Sequence, residues 1–421
     1  MTGQEAIERI QKEAWVGRKP GLERTRALLD RLGNPERELR YVHITGTNGK
    51  GSTAAMTASI LTAAGLRTGL YTSPHLWRFH ERFQVDGNPI PDEALGRIGE
   101  RVLEAGRSIP DPATEFELMT ALGLLYFQEA GCDIVVLEVG LGGRLDSTNV
   151  IPSPEAAVIT NIGLEHTQEL GNTLAAIAGE KAGIIKPGCS TVLYHQSREV
   201  EEVVEAVCRR EDSPLTLTAP DSLEVLSTGR EGQRFIYRGR GPFQLSLLGE
   251  YQLYNAAAAL ETVWRLADRG WKIPERAVQE GLERALWPGR MELARRGPDL
   301  LLDGSHNPQC MGALRRSLEA LYPGEKVTFL TGVLADKDYP AMMGELLPLA
   351  RAFVTVTPDS PRALPARELA QYLCREGVTA HPCQGLEQGL ELARSLAGEG
   401  PVCVCGSLYM IGEARHCLGL C

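Results

Sequence analysis

Residues Tyr41–Ser52 read YVHITGTNGKGS, and the order of residue types along this stretch decides the fold around it. Tyr41 to Thr45 is a short apolar, β-prone run that ends in Gly46, with Gly49, Lys50, Gly51 and Ser52 close behind. Thr53 to Ala64, rich in Ala, Met and Leu, reads as a helix. A strand, a glycine turn and a helix N-terminus in that order form a cradle for an anion, because the backbone N–H groups converge and the helix dipole favours negative charge there. With Thr47 and Asn48 filling the turn, Lys50 reaches the outer phosphates of a nucleoside triphosphate as a point charge, and the Ser52 hydroxyl is a Mg²⁺ ligand. The spacing is tighter than the usual G-x-x-x-x-G-K-[ST], and Gly51 separates the lysine from the serine. A glycine-rich βα turn of any doubly wound sheet would carry the glycines, but not the lysine and hydroxyl in this order.

Outward from the turn the pattern repeats. Strand-like runs at Tyr41–Thr45, Thr68–Thr72, Asp133–Val139, Ala156–Thr160 and Ser190–Tyr194 alternate with helical stretches such as Glu115–Glu129. This is the signature of a mainly parallel sheet. Residues 4 to 32 read as amphipathic helix interrupted near Gly17 to Gly21, and Ser222–Leu248 as an antiparallel hairpin. Helices are expected at Asn255–Asp268 and Pro274–Ala285. A Pro-, Gly- and Arg-rich segment, Trp287–Pro298, separates these from a second βα alternation with strands near 300–302, 327–330, 353–357 and 402–404. The expected architecture is α/β: a P-loop-type, mainly parallel N-terminal domain over residues 1–292, a linker at 293–298, and a smaller Rossmann-like domain over 299–421.

At 421 residues the chain is too long for one ordinary core. Its net charge of −10 argues against sequence-independent binding to nucleic acid. No apolar run approaches the length of a membrane span, and the N-terminus does not read as a signal peptide. The ten cysteines include no C-x-x-C pair and read as thiols of a cytoplasmic protein. A metal site built from Cys403, Cys405, His416 and Cys417 lacks zinc-type spacing.

Other chemistry-bearing residues fall at strand ends. Glu138 ends one strand, where a nucleotide-bound Mg²⁺ expects a carboxylate; the weaker alternative is a surface acid at a strand end. Gly140-x-Gly142 after the same strand is an incomplete dinucleotide fingerprint, because Leu145 stands where Gly or Ala is needed. His166 follows another strand; neutral imidazole binds divalent metals, but Mg²⁺ prefers oxygen. Ser73 is either an oxygen ligand or the start of a Ser-Pro loop. Lys181 and Lys186, in EKAGIIKPG, are one functional lysine and one solvated one, or two solvated ones. Asp303-Gly-Ser-His306-Asn-Pro places an acid, an imidazole and an amide on one turn.

Taken together these motifs resemble the folylpolyglutamate synthase/dihydrofolate synthase family, within the Mur-type amide ligases. GTNGKGS, TSPH with the downstream Glu81-Arg82, EVGLGGRLDSTN, TNIGLEH, EKAGIIKPG, WPGRME, DGSHNP, GVLADKD, TPDSPRALPA and GSLYMIGEAR follow one another in family order across nearly the whole chain. The resemblance implies that Thr47, Asn48, Gly49, Lys50, Gly51 and Ser52 hold ATP, with Asn255 toward the adenine and Arg290, Asp303 and His306 approaching the nucleotide from the second domain. It implies that Ser52, Ser73, Glu138 and His166 surround Mg²⁺. Lys181 resembles the lysine that is carbamylated in the family and then helps to hold a second metal. Catalytic weight falls on Lys50, Lys181 and His306. One position departs from the pattern: Tyr251 stands where the family commonly has His, while Gln252 and Asn255 match.

The implied reaction activates a folate or dihydropteroate carboxylate with ATP as an acyl phosphate, which the amine of L-glutamate attacks. The segment Trp287–Pro298 is the expected hinge of a cleft that excludes water. Ser73-Pro74-His75-Leu76 looks more like the bifunctional bacterial form, and a monomer is expected. A GTPase would carry N-K-x-D, which is absent. A cell-wall Mur ligase would carry a further N-terminal domain, whereas about forty residues precede the glycine turn here. A non-catalytic nucleotide-binding regulator would not need Lys50, Ser52, Glu138 and Lys181 together.

Overall fold

The computed structural model describes residues 1–14, 17 and 19–421, which form two units. One comprises Met1–Glu224, Tyr237–Phe243 and Tyr254–Ala285, the other Val225–Ile236, Gln244–Leu253 and Leu286–Cys421. The N-terminal region folds as helices Gly3–Glu13 and Glu23–Arg31; Arg18, within the expected interruption, lies outside the described residues.

The first unit holds an eight-stranded sheet of β1 (Tyr41–Thr45), β2 (Thr68–Tyr71), β3 (Phe83–Val85), β4 (Asn88–Pro89), β5 (Ile134–Glu138), β6 (Ala156–Ile159), β7 (Ser190–Leu193) and β8 (Leu215–Leu217). The order is β4-β3-β2-β5-β1-β6-β7-β8. The six strands from β2 to β8 are parallel, with β3 antiparallel to β2 and β4 to β3. Every strand expected here from the sequence forms. The short β3, β4 and β8 carry too few residues to show a period.

Both faces of this sheet are covered, which explains why its strands are continuous apolar runs. Along β5, Val135 and Leu137 join one cluster with Tyr41, Leu122 and Phe127, while Ile134 and Val136 join another with Val42, Ile44, Ala54 and Leu61. The chain leaves β1 toward β2 on one side and reaches β6 on the other. The end of β1 is therefore a topological switch point, where ligands of open α/β sheets bind.

The helix after β1 runs Lys50–Ala63, three residues earlier than the composition suggests. Gly49 takes φ +89° as its N-cap, and Thr53 N–H already donates to Gly49 O at 2.9 Å. Lys50, Gly51 and Ser52 thus form the first turn, whose amides have no acceptor within the helix. This helix packs on Glu275–Arg284, where Ser59 Oγ donates to Gly281 O at 2.7 Å.

Residues 223–245 form β9 (Leu223–Gly229), β10 (Gly232–Tyr237) and β11 (Arg240–Leu245), in the order β11-β10-β9. Two-residue connections make this an antiparallel meander, one strand more than the expected hairpin. The extra strand, LEVLSTG, is largely exposed and carries little hydrophobic signal.

The second unit contains a six-stranded sheet of β12 (Glu292–Arg295), β13 (Leu300–Leu302), β14 (Val327–Thr331), β15 (Ala350–Thr355), β16 (Ala380–Pro382) and β17 (Val402–Cys405). The order is β12-β13-β17-β14-β15-β16, all parallel except β12. Residues 293–295 of the span read as a linker lie in β12, paired to β13. The molecule is thus an α/β protein with a large, mainly parallel sheet and a second α/β sheet domain.

A methyl group on Gly281 would lie 2.4 Å from Ile60 Cα, in backbone that cannot yield. Gly281→Ala is expected to destabilise the fold by about 1–3 kcal/mol, read as a lowered midpoint in thermal or urea unfolding.

Candidate functional site

The glycine turn takes its shape from two positions that no other residue could fill cheaply. Gly46 has φ +154°, and a Cβ there would lie 1.8 Å from Thr160 Oγ1. Gly49 has φ +89°, and a Cβ there would lie 2.4 Å from Asn255 Oδ1. The loop after β6 stitches the turn in place. Thr47 N–H donates to Asn161 O at 2.6 Å, Thr160 Oγ1 donates to Asn48 O at 2.8 Å, and Thr47 Oγ1 exchanges hydrogen bonds with Gly163 O and N at 3.1 and 3.0 Å. Asn161 Oδ1 is buried there with no hydrogen-bond partner among the described residues. Asn255 is held by a hydrogen bond from Tyr194 and lies against Gly49 of the turn.

Two lysines meet on one carbonyl. Lys50 Nζ donates to Gly46 O and Thr47 O, both at 3.1 Å, and Lys181 Nζ donates to Gly46 O at 2.6 Å. Lys181 is only 4 % exposed. Burial, reinforced by the positive charge of Lys50 and partly opposed by Glu165 and Asp146, lowers its pKa to about 7. Lys186 has its Nζ on Asn149 O at 2.9 Å and on Ile151 O at 2.5 Å, an anchor for the loop below the sheet edge.

Glu138, 4 % exposed, ends β5 in register with Ile44, beside the last residues of β1. Its Oε2 accepts Ser73 N–H at 3.0 Å, so Ser73 and Glu138 are neighbours at the sheet edge. The residues after Ser73 explain why Glu81-Arg82 accompanies TSPH. Glu81 accepts the amides of Leu76, Trp77 and Arg78 at 2.8, 3.2 and 2.9 Å, and Arg82 Nε donates to His75 Nδ1 at 2.8 Å. Burial and the Arg82 charge lower the His75 pKa to about 4, so its ring stays neutral and accepting near neutrality. His166 sits at φ +51°, a left-handed non-glycine position at the start of a short helix, Thr167–Leu170.

The sequence did not single out Asp146, which organises the loop after Glu138. Buried, it accepts Leu141 N–H at 2.9 Å, Thr148 N–H at 3.0 Å and Thr148 Oγ1–H at 2.5 Å. His43 of β1 reaches the same Thr148 hydroxyl at 2.9 Å. The Asp-Ser-Thr run, an N-cap signal, was the legible clue.

In the second unit, Arg290 lies between Gly289, whose carbonyl it meets at 3.1 Å, and Gly304, where a Cβ would approach its Nη1 to 2.1 Å. His306 Nδ1 lies 2.8 Å from Gly304 O. Asp303 is fully buried beside them. Among the described residues no group of three or more His, Cys, Asp or Glu side chains converges as a metal-ligand set, and no helix is long and apolar enough to cross a membrane.

The chain matches two Mur-ligase family models in tandem, the middle domain over residues 44–263 and the glutamate ligase domain over 289–408. The protein class is therefore that of the Mur ligases. The chain is 38% identical over 406 residues to the folylpolyglutamate synthase of Lacticaseibacillus casei, covering 93% of this chain and 92% of that one. It is 35% identical over 427 residues to the dihydrofolate synthase/folylpolyglutamate synthase of Bacillus subtilis, covering 98% of each. The structure superposes on Mycobacterium tuberculosis folylpolyglutamate synthase complexed with ADP and AMPPCP at a TM-score of 0.89, with 33% identity and 99% and 98% of the two chains covered. Escherichia coli FolC in complex with DHPP and ADP gives a TM-score of 0.88 at 28% identity, covering 100% and 98%. The chain belongs to the folylpolyglutamate synthase/dihydrofolate synthase family.

Lys181 also makes stability depend on pH in a definite direction. Its pKa falls from 10.5 to about 7 on folding. Below pH 7 both folded and unfolded chains hold the proton; from 7 to 10.5 the unfolded chain binds more, so this group's contribution to stability rises with pH across that window. Unfolding midpoints of wild type and Lys181→Met, measured at pH 7 and pH 10, are expected to differ more in favour of wild type at the higher pH.

Proposed function

We propose that this chain catalyses ATP-dependent ligation of L-glutamate to a folate carboxylate, and that it also joins dihydropteroate to glutamate. The observation that carries the site assignment is the meeting of Lys50 and Lys181 on Gly46 O within a strand–turn–helix cradle, at the edge where Glu138 holds Ser73. Relatives named for both activities, and the FolC structure with DHPP, support the bifunctional reading.

In this reading, Thr47 to Ser52 bind the ATP phosphates through backbone amides of the turn and the first helical turn, with Asn255 packed beneath them. Lys50 gives up its two carbonyl partners to offset charge on the transferred phosphoryl group. The donor set fits Mg²⁺. It offers the Ser52 hydroxyl, Ser73 and one carboxylate, Glu138, and a nucleotide-bound Mg²⁺ takes one or two carboxylates with phosphate oxygens and water. His166, a nitrogen donor, fits that ion least well on its own chemistry. Mg²⁺ when bound supplies Lewis-acid polarisation and charge neutralisation at the phosphates.

Lys181 is proposed as a site of carbamylation. With a pKa of about 7, much of its amine is neutral at physiological pH and attacks CO₂, forming an N–C bond and releasing one proton. The product is an oxygen donor where an ammonium stood, suited to a second metal ion. From the second unit, Arg290 and His306 are proposed as contacts to the nucleotide, with His306 near the amide-forming step. The two domains are proposed at 1–292 and 299–421. The ten free thiols suit a reducing compartment, and a cytoplasmic monomer is proposed.

The chemistry follows from the need to turn a poor electrophile into a good one. The substrate carboxylate takes the γ-phosphoryl group of ATP and ADP leaves. The glutamate α-amine then attacks the acyl phosphate, and the tetrahedral adduct expels phosphate to give the amide.

ATP turnover measured with glutamate and dihydropteroate, tetrahydrofolate or a cell-wall nucleotide peptide as acceptor tests the reading. Turnover with both pterin acceptors and none with the peptide is expected; the reverse would overturn it. Lys50→Ala is expected to abolish turnover while its circular dichroism and thermal midpoint stay near wild type. Lys181→Arg, which cannot carry a carbamate, is expected to lose most activity and the carbamate signal that ¹³C-bicarbonate gives in wild-type NMR spectra.

A further inference from the structure

We propose that Asp303 and Tyr251 are positioning residues that fix the Arg290 turn, and that Asp303 does not itself contact the nucleotide; the inference rests on the function proposed above. A carboxylate has about four acceptor positions, and Asp303 uses four. Its Oδ2 accepts the Tyr251 hydroxyl at 2.9 Å and Met291 N–H at 2.8 Å. Its Oδ1 accepts Ser305 N–H at 2.9 Å and the Ser305 hydroxyl. The side chain is fully buried. A ribose hydroxyl or a phosphate-bound water would find no lone pair to address.

The donors show what the carboxylate is for. Met291 directly follows Arg290 and stands at φ +46°, a left-handed conformation that costs a non-glycine residue. Such a residue persists only where its surroundings over-determine it. Asp303 holds its amide from one side. Glu292 Oε2 accepts Gly289 N–H at 2.8 Å from the other, and Glu292 is itself held by Arg415. Gly304 N–H donates to Gly289 O at 2.8 Å, closing the turn against the loop that carries His306. Four residues, Gly289 to Glu292, are thereby pinned at three points, and the Arg290 guanidinium leaves from the middle.

Tyr251 completes the lock. Its hydroxyl reaches Oδ2 from another element, the helix Glu250–Asp268. Burial and the neighbouring Asp303 charge keep it protonated far above neutral pH, so it remains a donor throughout the working range. This gives Tyr251, the residue at which the chain departs from the family pattern, a defined task.

A double-mutant cycle on the full-length enzyme separates this role from a merely structural one. Folate- and glutamate-dependent ATP turnover is compared in wild type, Tyr251→Phe, Arg290→Ala and the double variant. Tyr251→Phe is expected to lower kcat about tenfold in the wild-type background and less than about twofold once Arg290 is gone. Equal losses in both backgrounds would overturn the proposal. A readout independent of turnover is amide hydrogen exchange of the 289–292 segment without substrates, expected to accelerate about tenfold in Tyr251→Phe while the thermal midpoint stays near wild type. Unchanged exchange would sink the lock even if the enzyme is active. Wild type inactive with every pterin acceptor would instead sink the function, leaving the exchange result to stand or fall alone.

Discussion

A turn made of glycines cannot hold its own shape, and the way this one is held governs the rest of the sheet edge around it. Gly46 and Gly49 remove the side chains that would block the turn, but they also remove its stiffness. The stiffness returns from the loop after β6. Asn161 O takes the Thr47 amide, Thr160 holds Asn48 O, and Gly163 closes on the Thr47 hydroxyl. That places TNIGLEH beside GTNGKGS because the two strands that end in them, β1 and β6, are sheet neighbours. The arrangement at this edge is therefore a product of strand order more than of any one loop.

Electrostatics then follow from packing. Burial lowers the Lys181 pKa first, and the positive charge of Lys50 on the same carbonyl lowers it further. Asp146 and Glu165 moderate the effect. The loop after Glu138 takes part through Asp146, whose buried carboxylate both shapes GLGGRLDSTN and contributes negative charge near Lys181. In the second unit a carboxylate again organises backbone. Asp303 gathers donors from the residue after Arg290, from Ser305 and from Tyr251.

Much of this was legible in the sequence, for reasons that can be named. The parallel strands were readable because burial on both faces makes them unbroken apolar runs, as in Ile134 to Leu137. The glycine turn was readable because its residue types are forced by its task. The helix start at Lys50 was not, since composition reports helix propensity whereas the boundary was set by the left-handed Gly49. The first strand of the meander was missed because its side chains face solvent. Asp146 and Tyr251 were missed or left without a role because their partners, Thr148 and Leu141 in one case and Asp303 in the other, become meaningful only once loops are folded back on themselves.

The margins of the large sheet bear on how the chain behaves when crowded. One margin is β4, two residues long and ending in Pro89, which has no N–H to offer a neighbouring strand. The other is β8, only three residues long. Neither presents the extended, flat ladder that strand-by-strand accretion needs. A core of apolar strands, hazardous if left open at its sides, is thus bracketed by segments too short to template another copy, which favours refolding over fibrillar association at high protein concentration.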